Sequence, residues 1–168
     1  MRCSRCVAIS SLFLIAFLTG CAVRTESTLM GDPGKLTLGE VQTLLQQSKE
    51  PVERTRIYVQ LSDILIRQFH SSTGSGTDRT PDWLEQYEGA ILSARETIMN
   101  SGRNAQRDPE GFKELEIALR RHIRWLNDWR IGLREQERLE IDDTIETATT
   151  IRGQMLALLF PVAIPNSN

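Results

Sequence analysis

Apolar residues recur at alternating intervals of three and four along most of this chain, and that period admits one kind of element. Leu84, Tyr87, Ile91, Ala94 and Ile98 form one such stripe, and Phe112, Leu115, Leu119, His122, Leu126, Trp129 and Leu133 form another. Side chains at these spacings share one face of a helix, whereas a half-buried strand needs strict alternation, of which the chain has no useful length. The expected fold class is therefore all-α, a helical bundle or a short stack of helical hairpins with four to five helices. No helix carries the Trp, Leu-Gly, Tyr and Pro pattern of tetratricopeptide repeats in register.

Local signals divide the helices. Thr37-Leu38-Gly39-Glu40 has capping-box spacing and is followed by Leu38, Val41, Leu44 and Leu45 on one face, so a short first helix runs to about Lys49. Pro51 suits the first turn of a second helix, with Ile57, Leu61, Ile64, Leu65 and Phe69 as its apolar face, stopping before Ser71-Ser72-Thr73-Gly74-Ser75-Gly76. Thr80-Pro81-Asp82 reads as the start of a third helix and Gly102 as the residue just past its end, while Asp108-Pro109-Glu110 opens a fourth. Between Arg134 and Glu140 only Leu139 is apolar, and a new stripe begins at Ile141, Ile145, Ala148, Met155 and Leu159. One helix from Pro109 to Phe160 would be ~78 Å long, too long for a compact domain of this size, so a break or kink is expected near Leu139 to Asp143. Pro161 ends the last helix, and residues 161–168 form a tail.

The N-terminus carries a different message. Arg2 and Arg5 precede an apolar run of twelve residues, Val7 to Leu18, too short to span ~30 Å of hydrocarbon but suited to a signal-peptide core. Leu18-Thr19-Gly20-Cys21 then resembles the lipobox of bacterial lipoprotein precursors. The resemblance implies cleavage before Cys21, a diacylglyceryl group on its thiol and acylation of the new amino terminus. Residues 1–20 are thus expected to be a signal peptide, 21–36 a lipidated tether and 37–160 the helical domain. By random-coil scaling the tether reaches ~20 Å, which keeps the domain near its membrane. In families with this lipobox the residue after the cysteine influences sorting; Ala22 is not the aspartate associated with inner-membrane retention. The implied location is the periplasmic leaflet of an outer membrane, or the outer face of the plasma membrane where there is one bilayer.

Cys3 and Cys6 would leave with the signal peptide and Cys21 would be capped, so the mature chain offers no thiol for a disulfide, a nucleophile or a metal site. It would carry 18 basic against 22 acidic residues, a net charge of about −4, which gives no reason to expect nucleic acid as a partner. His70 and His122 are the only histidines, and neither has a carboxylate or second histidine at helical spacing; His122, on the apolar stripe, reads as a hydrogen-bonded, partly buried residue. No Gly-x-Ser-x-Gly, phosphate-binding glycine loop or Ser-x-x-Lys is present. Glu140, Asp142, Asp143 and Glu146 lack calcium-loop spacing and read as an acidic helix start.

Two features remain as candidate partner contacts. Trp125 lies four residues before Trp129 among Arg121, Arg124 and Arg130; the simpler reading puts Trp129 in the core with Trp125 covering its edge, and Trp83 is likewise a packing residue. Arg130, Arg134 and Arg138 would form a row of like charges on one helix face, partly offset by Glu135 and Glu137. The sequence offers no catalytic, cofactor-binding or metal-ligating residues, so the expected function is a lipid-anchored, non-catalytic binding, adaptor or scaffold protein. Its partners would be membrane lipid through acylated Cys21 and an envelope protein. The alternatives are a ligand-binding or sensing helical module and, behind it, an envelope hydrolase.

Overall fold

The computed structural model describes residues 36–72 and 82–161, and among these there are five helices and no strand. They are α1 (Leu38–Gln47), α2 (Pro51–Ser72), α3 (Trp83–Met99), α4 (Glu110–Arg130) and α5 (Glu135–Leu159). None is long and apolar enough to cross a membrane. The lipobox, the tether to Lys35, the Thr80-Pro81 helix start and the tail beyond Pro161 lie outside the described residues.

The capping box at Thr37 forms as its spacing requires: the Thr37 N–H donates to Glu40 Oε2 at 2.7 Å and the Glu40 N–H to Thr37 Oγ1 at 3.4 Å. Glu50 accepts from the Glu53 N–H at 2.7 Å ahead of α2, where Pro51 is the first helical residue. Arg54 then donates to the carbonyls of Leu45 and Ser48, satisfying oxygens that the end of α1 leaves free and clamping α1 to α2. Two boundaries differ slightly from expectation. α1 stops at Gln47 rather than near Lys49, and α2 runs through Ser71 and Ser72, whose hydroxyls donate back to the carbonyls of Gln68 and Phe69. Gly102 stands two residues past the Asn100 C-cap, not directly after it, and there takes a φ of 70°, a conformation that costs glycine little.

The larger correction concerns the last turn. The chain does break between Phe112 and Phe160, but at 131–134 rather than near Leu139 to Asp143. Glu137 accepts from the Arg134 N–H at 3.1 Å and so starts α5 at Glu135, and Gly132 sits within the turn. The polar run 134–140 is therefore the solvated first turn and a half of a new helix, with Leu139 62 % exposed.

The helices form two antiparallel hairpins, α2–α3 and α4–α5, stacked so that like helices run parallel. Cross-links between α2 and α4 join Arg56 to Glu114 and Asp63 to Arg121, each 58 residues apart; those between α3 and α5 join Glu88 to Thr144 and Arg95 to Gln154, 56 and 59 apart. A nearly constant offset is what parallel packing of two successive hairpins produces. α2 thus touches α3 and α4, α5 touches α4 and α3, and α1 packs on α2 alone. The α3 stripe is buried at all five positions, and Phe112, Leu115, Leu119, His122 and Leu126 of α4 and Ile141, Ala148 and Met155 of α5 face it in one core. Gly111 lets α4 begin against α3, since a Cβ there would meet Ile98 Cδ1 at 2.6 Å.

Candidate functional site

Where α2, α3 and α4 meet, three polar side chains converge in the apolar core and a fourth, the half-exposed Arg121, reaches them from its edge. Asp63 of α2 accepts from Arg121 Nη2 with both carboxylate oxygens, at 2.6 and 2.8 Å, and is hydrogen-bonded to His122 Nε2. The other imidazole nitrogen, Nδ1, lies 3.3 Å from the Tyr87 hydroxyl. Tyr87 and His122 are wholly buried and Asp63 almost so. Burial of the Tyr87 hydroxyl, reinforced by the charges of Asp63 and Glu88, pushes its pKa up and keeps it protonated. Tyr87 O–H therefore donates to Nδ1, Nε2–H donates to Asp63, and one neutral tautomer satisfies the network.

The electrostatics follow from that arrangement. Burial holds the His122 imidazole below its ordinary value, with the nearby cations Arg121 and Arg67 adding to the effect and the Asp63 carboxylate opposing it. For Asp63 burial works against the charge, and the His122 N–H and the Arg121 fork outweigh it, leaving the carboxyl below its usual range. The order Asp63, His122, Tyr87 is an acid, a base and a hydroxyl. It can hold or pass a proton internally, but with His122 and Tyr87 fully buried it presents neither group to a substrate.

Sequence spacing missed Asp63, because His122 finds its carboxylate on another helix. A signal was present: Asp63 lies on the inner face of α2, three residues before Ile66 and six before Phe69, where an acid needs a partner. The same spacing logic missed His70, whose ring centroid lies 4.2 Å from that of Trp129 with the planes tilted by 35°. Trp129 is half-buried rather than in the core, and Trp125 lies between it and His122, at centroid distances of 6.0 and 5.6 Å. Arg121 covers Trp125 at 5.3 Å. Trp83 is half-buried against the core, as expected.

The arginine row does not exist as one helix face, because the turn at 131–134 separates Arg130 from Arg134 and Arg138. Arg130 bridges α4 to α5 through Asp142, at 2.7 Å from Nε and 3.0 Å from Nη2; Arg134 pairs with Glu137 at 2.9 Å; Arg138 Nε donates to the Leu133 carbonyl at 3.0 Å. Asp142 thereby leaves the acidic group expected at the helix start. Glu140, Asp143 and Glu146 instead line an open seam between α3 and α5, made of two adjoining concavities of about 390 and 460 Å3 that share Asp143. A smaller groove of about 230 Å3 lies between α2 and α4, bracketed by the two ion pairs and walled by Val59, Ile117 and Ala118. Among the described residues no three carboxylate, imidazole or thiol groups converge to hold a metal ion.

Compared with known proteins, the chain matches no family model, no curated sequence and no solved structure.

Proposed function

We propose that this chain is a lipid-anchored envelope protein that acts by binding, as an adaptor or scaffold for a larger envelope component, with no catalytic centre of its own. One observation carries the binding half of this reading. In the acid–base cluster Asp63–His122–Tyr87 the imidazole and the phenol are sealed from solvent and only Asp63 reaches a groove, whereas the concavities along α3 and α5 are open and rimmed by exposed carboxylates. Surfaces of that kind recognise partners, while chemistry needs its acid or base within reach of a reacting atom. The anchoring half rests on Leu18-Thr19-Gly20-Cys21 behind its apolar run. Two or three acyl chains on Cys21, at ~0.8 kcal/mol per buried methylene, would hold the domain at a bilayer essentially irreversibly.

Affinity capture of the tagged, full-length protein from gently solubilised envelopes tests the binding role. Co-purification of a defined protein is expected; a monomer retaining no partner above background contradicts it. For the anchor, wild type should incorporate palmitate and Cys21→Ser should accumulate as an unlabelled precursor. A Cys21→Ser protein that is cleaved like wild type and found in the same fraction would remove the lipoprotein reading.

A further inference from the structure

The seam between α3 and α5 has a polarity along its length that specifies what it fits. On α3 the outward stripe is Glu85, Glu88, Leu92, Arg95 and Met99, at intervals of three and four. On α5 the facing stripe begins with Glu140, Asp143 and Thr147 and continues through Gln154 to Leu158, again at helical spacing. Because the two helices run parallel, the acidic ends coincide and so do the apolar ends. Glu88 lies beside Thr144 and Arg95 beside Gln154, which places Met99 level with Leu158 one turn further on. At the acidic end Asp82, Glu85, Glu88, Glu140, Asp143 and Glu146 line the walls, and among the described residues none of them is paired with a lysine or arginine. Leu92 lies midway, lining the second concavity beside Arg95 and Gln154, and Met99 and Leu158 stand at the far end; the three are 38, 41 and 38 % exposed.

From this pattern we infer that the α3/α5 seam docks a basic amphipathic helix of a partner protein, its cationic half over Glu85 and Glu140 and its apolar half over Leu92, Met99 and Leu158. The inference rests on the binding role proposed above and names the partner's chemistry. Carboxylates on both walls select a cationic occupant and repel nucleic acid and anionic headgroups. The exposed apolar side chains in register with them require one that also buries carbon. The walls offer side chains rather than a free strand edge, so an occupant must satisfy its own backbone groups, as a helix does. From Glu140 to Leu158 the stripe is ~27 Å long, the length of an ~18-residue helix.

Selection of random peptides of ~18 residues on the full-length protein in phosphatidylcholine nanodiscs tests this without presupposing a sequence. Enriched peptides should be net basic, with apolar residues at helical spacing. The affinity of a labelled representative should fall by about tenfold or more with Glu85→Gln/Glu140→Gln/Asp143→Asn, and again with Leu92→Ser/Leu158→Ser, while Ile117→Ser on the opposite side changes it by less than about twofold. Raising salt from ~0.05 to ~0.5 M should weaken binding to wild type but hardly affect the neutralised variant. Enrichment of acidic or neutral peptides, no enrichment, or equal affinity in the neutralised variant would overturn the assignment. So would protection of the α3/α5 segments from hydrogen exchange by phosphatidylglycerol discs alone, which would make the seam a membrane surface. If capture from envelopes still yields a partner, the binding role survives and only this surface is wrong.

Discussion

The α2/α4 and α3/α5 pairs are the same construction used twice, parallel helices from successive hairpins at an offset near 58 residues, and they are finished in opposite ways. Between α2 and α4 every wall charge has a counterpart: Arg56 meets Glu114 at 2.8 Å and Asp63 meets Arg121 at 2.6 Å, with His122 sealed behind. The polarity of the two pairs is reversed, so sliding α4 by two turns in either direction would set Arg56 against Arg121 or Asp63 against Glu114. The pairs thus disfavour neighbouring registers as well as favouring the observed one. Between α3 and α5 the side-chain hydrogen bonds among the described residues are Glu88–Thr144 and Arg95–Gln154, at 2.6 Å each, and the other carboxylates lining the seam face solvent. Topology therefore does not decide which seam holds the fold and which is left open; the charges on the second layer of side chains do.

The comparison breaks first at Asp63. Asp63→Ala would leave a buried imidazole N–H and a half-covered guanidinium without their acceptor, and urea denaturation should show a loss of about 3 kcal/mol. A loss below ~0.5 kcal/mol would mean that α2/α4 is not the structural seam. A smaller effect appears as pH dependence. Because His122 titrates below its unfolded value of 6.5, the unfolded chain takes up a proton more readily, so stability is full above about pH 6.5 and falls as pH drops through that value towards the folded one. Asp63, also depressed, contributes fully above about 3.8 and loses its contribution below that. Urea midpoints should therefore decline in two stages on acidification, and His122→Gln should remove the upper stage and leave the lower.

Arg56→Glu, which sets a carboxylate opposite Glu114, should cost about 1 kcal/mol, and the double reversal Arg56→Glu/Glu114→Arg should recover most of it, since the pair is only partly buried. The matching change on the other seam should go the other way. Glu140→Gln/Asp143→Asn removes mutual repulsion and should leave stability unchanged or raise it by a few tenths of a kcal/mol. A clear destabilisation there would show that these carboxylates hold the fold.

How much of this was legible in the sequence follows from the range of each interaction. The α3 stripe from Leu84 to Ile98 and the Thr37–Glu40 cap are local, and periodicity finds them. The α4–α5 turn was displaced because a solvated helix start, 134–140, interrupts an apolar stripe just as a turn does; Glu137 reaching back to Arg134 was the discriminating signal. The Asp63–His122 pair lay beyond spacing arguments, since its members are 59 residues apart on different helices. The arginine row failed for the converse reason, as spacing of four has meaning only while the helix continues. The seam is half visible in the sequence: Glu140, Asp143 and Glu146 stand out as a carboxylate cluster, but their register with Glu85 and Glu88 exists only once α3 and α5 lie parallel.

Site-specific photo-crosslinking in intact cells tests the division of labour most directly, because it compares two positions of similar exposure, Leu92 on the α3/α5 seam at 38 % and Ile117 on the α2/α4 groove at 49 %. A photoreactive phenylalanine at Leu92 should form one discrete protein adduct, lost when Glu140 and Asp143 are neutralised, and the same residue at Ile117 should form none. Adducts at Ile117 but not at Leu92, or adducts at Leu92 unaffected by the neutralisation, would contradict it.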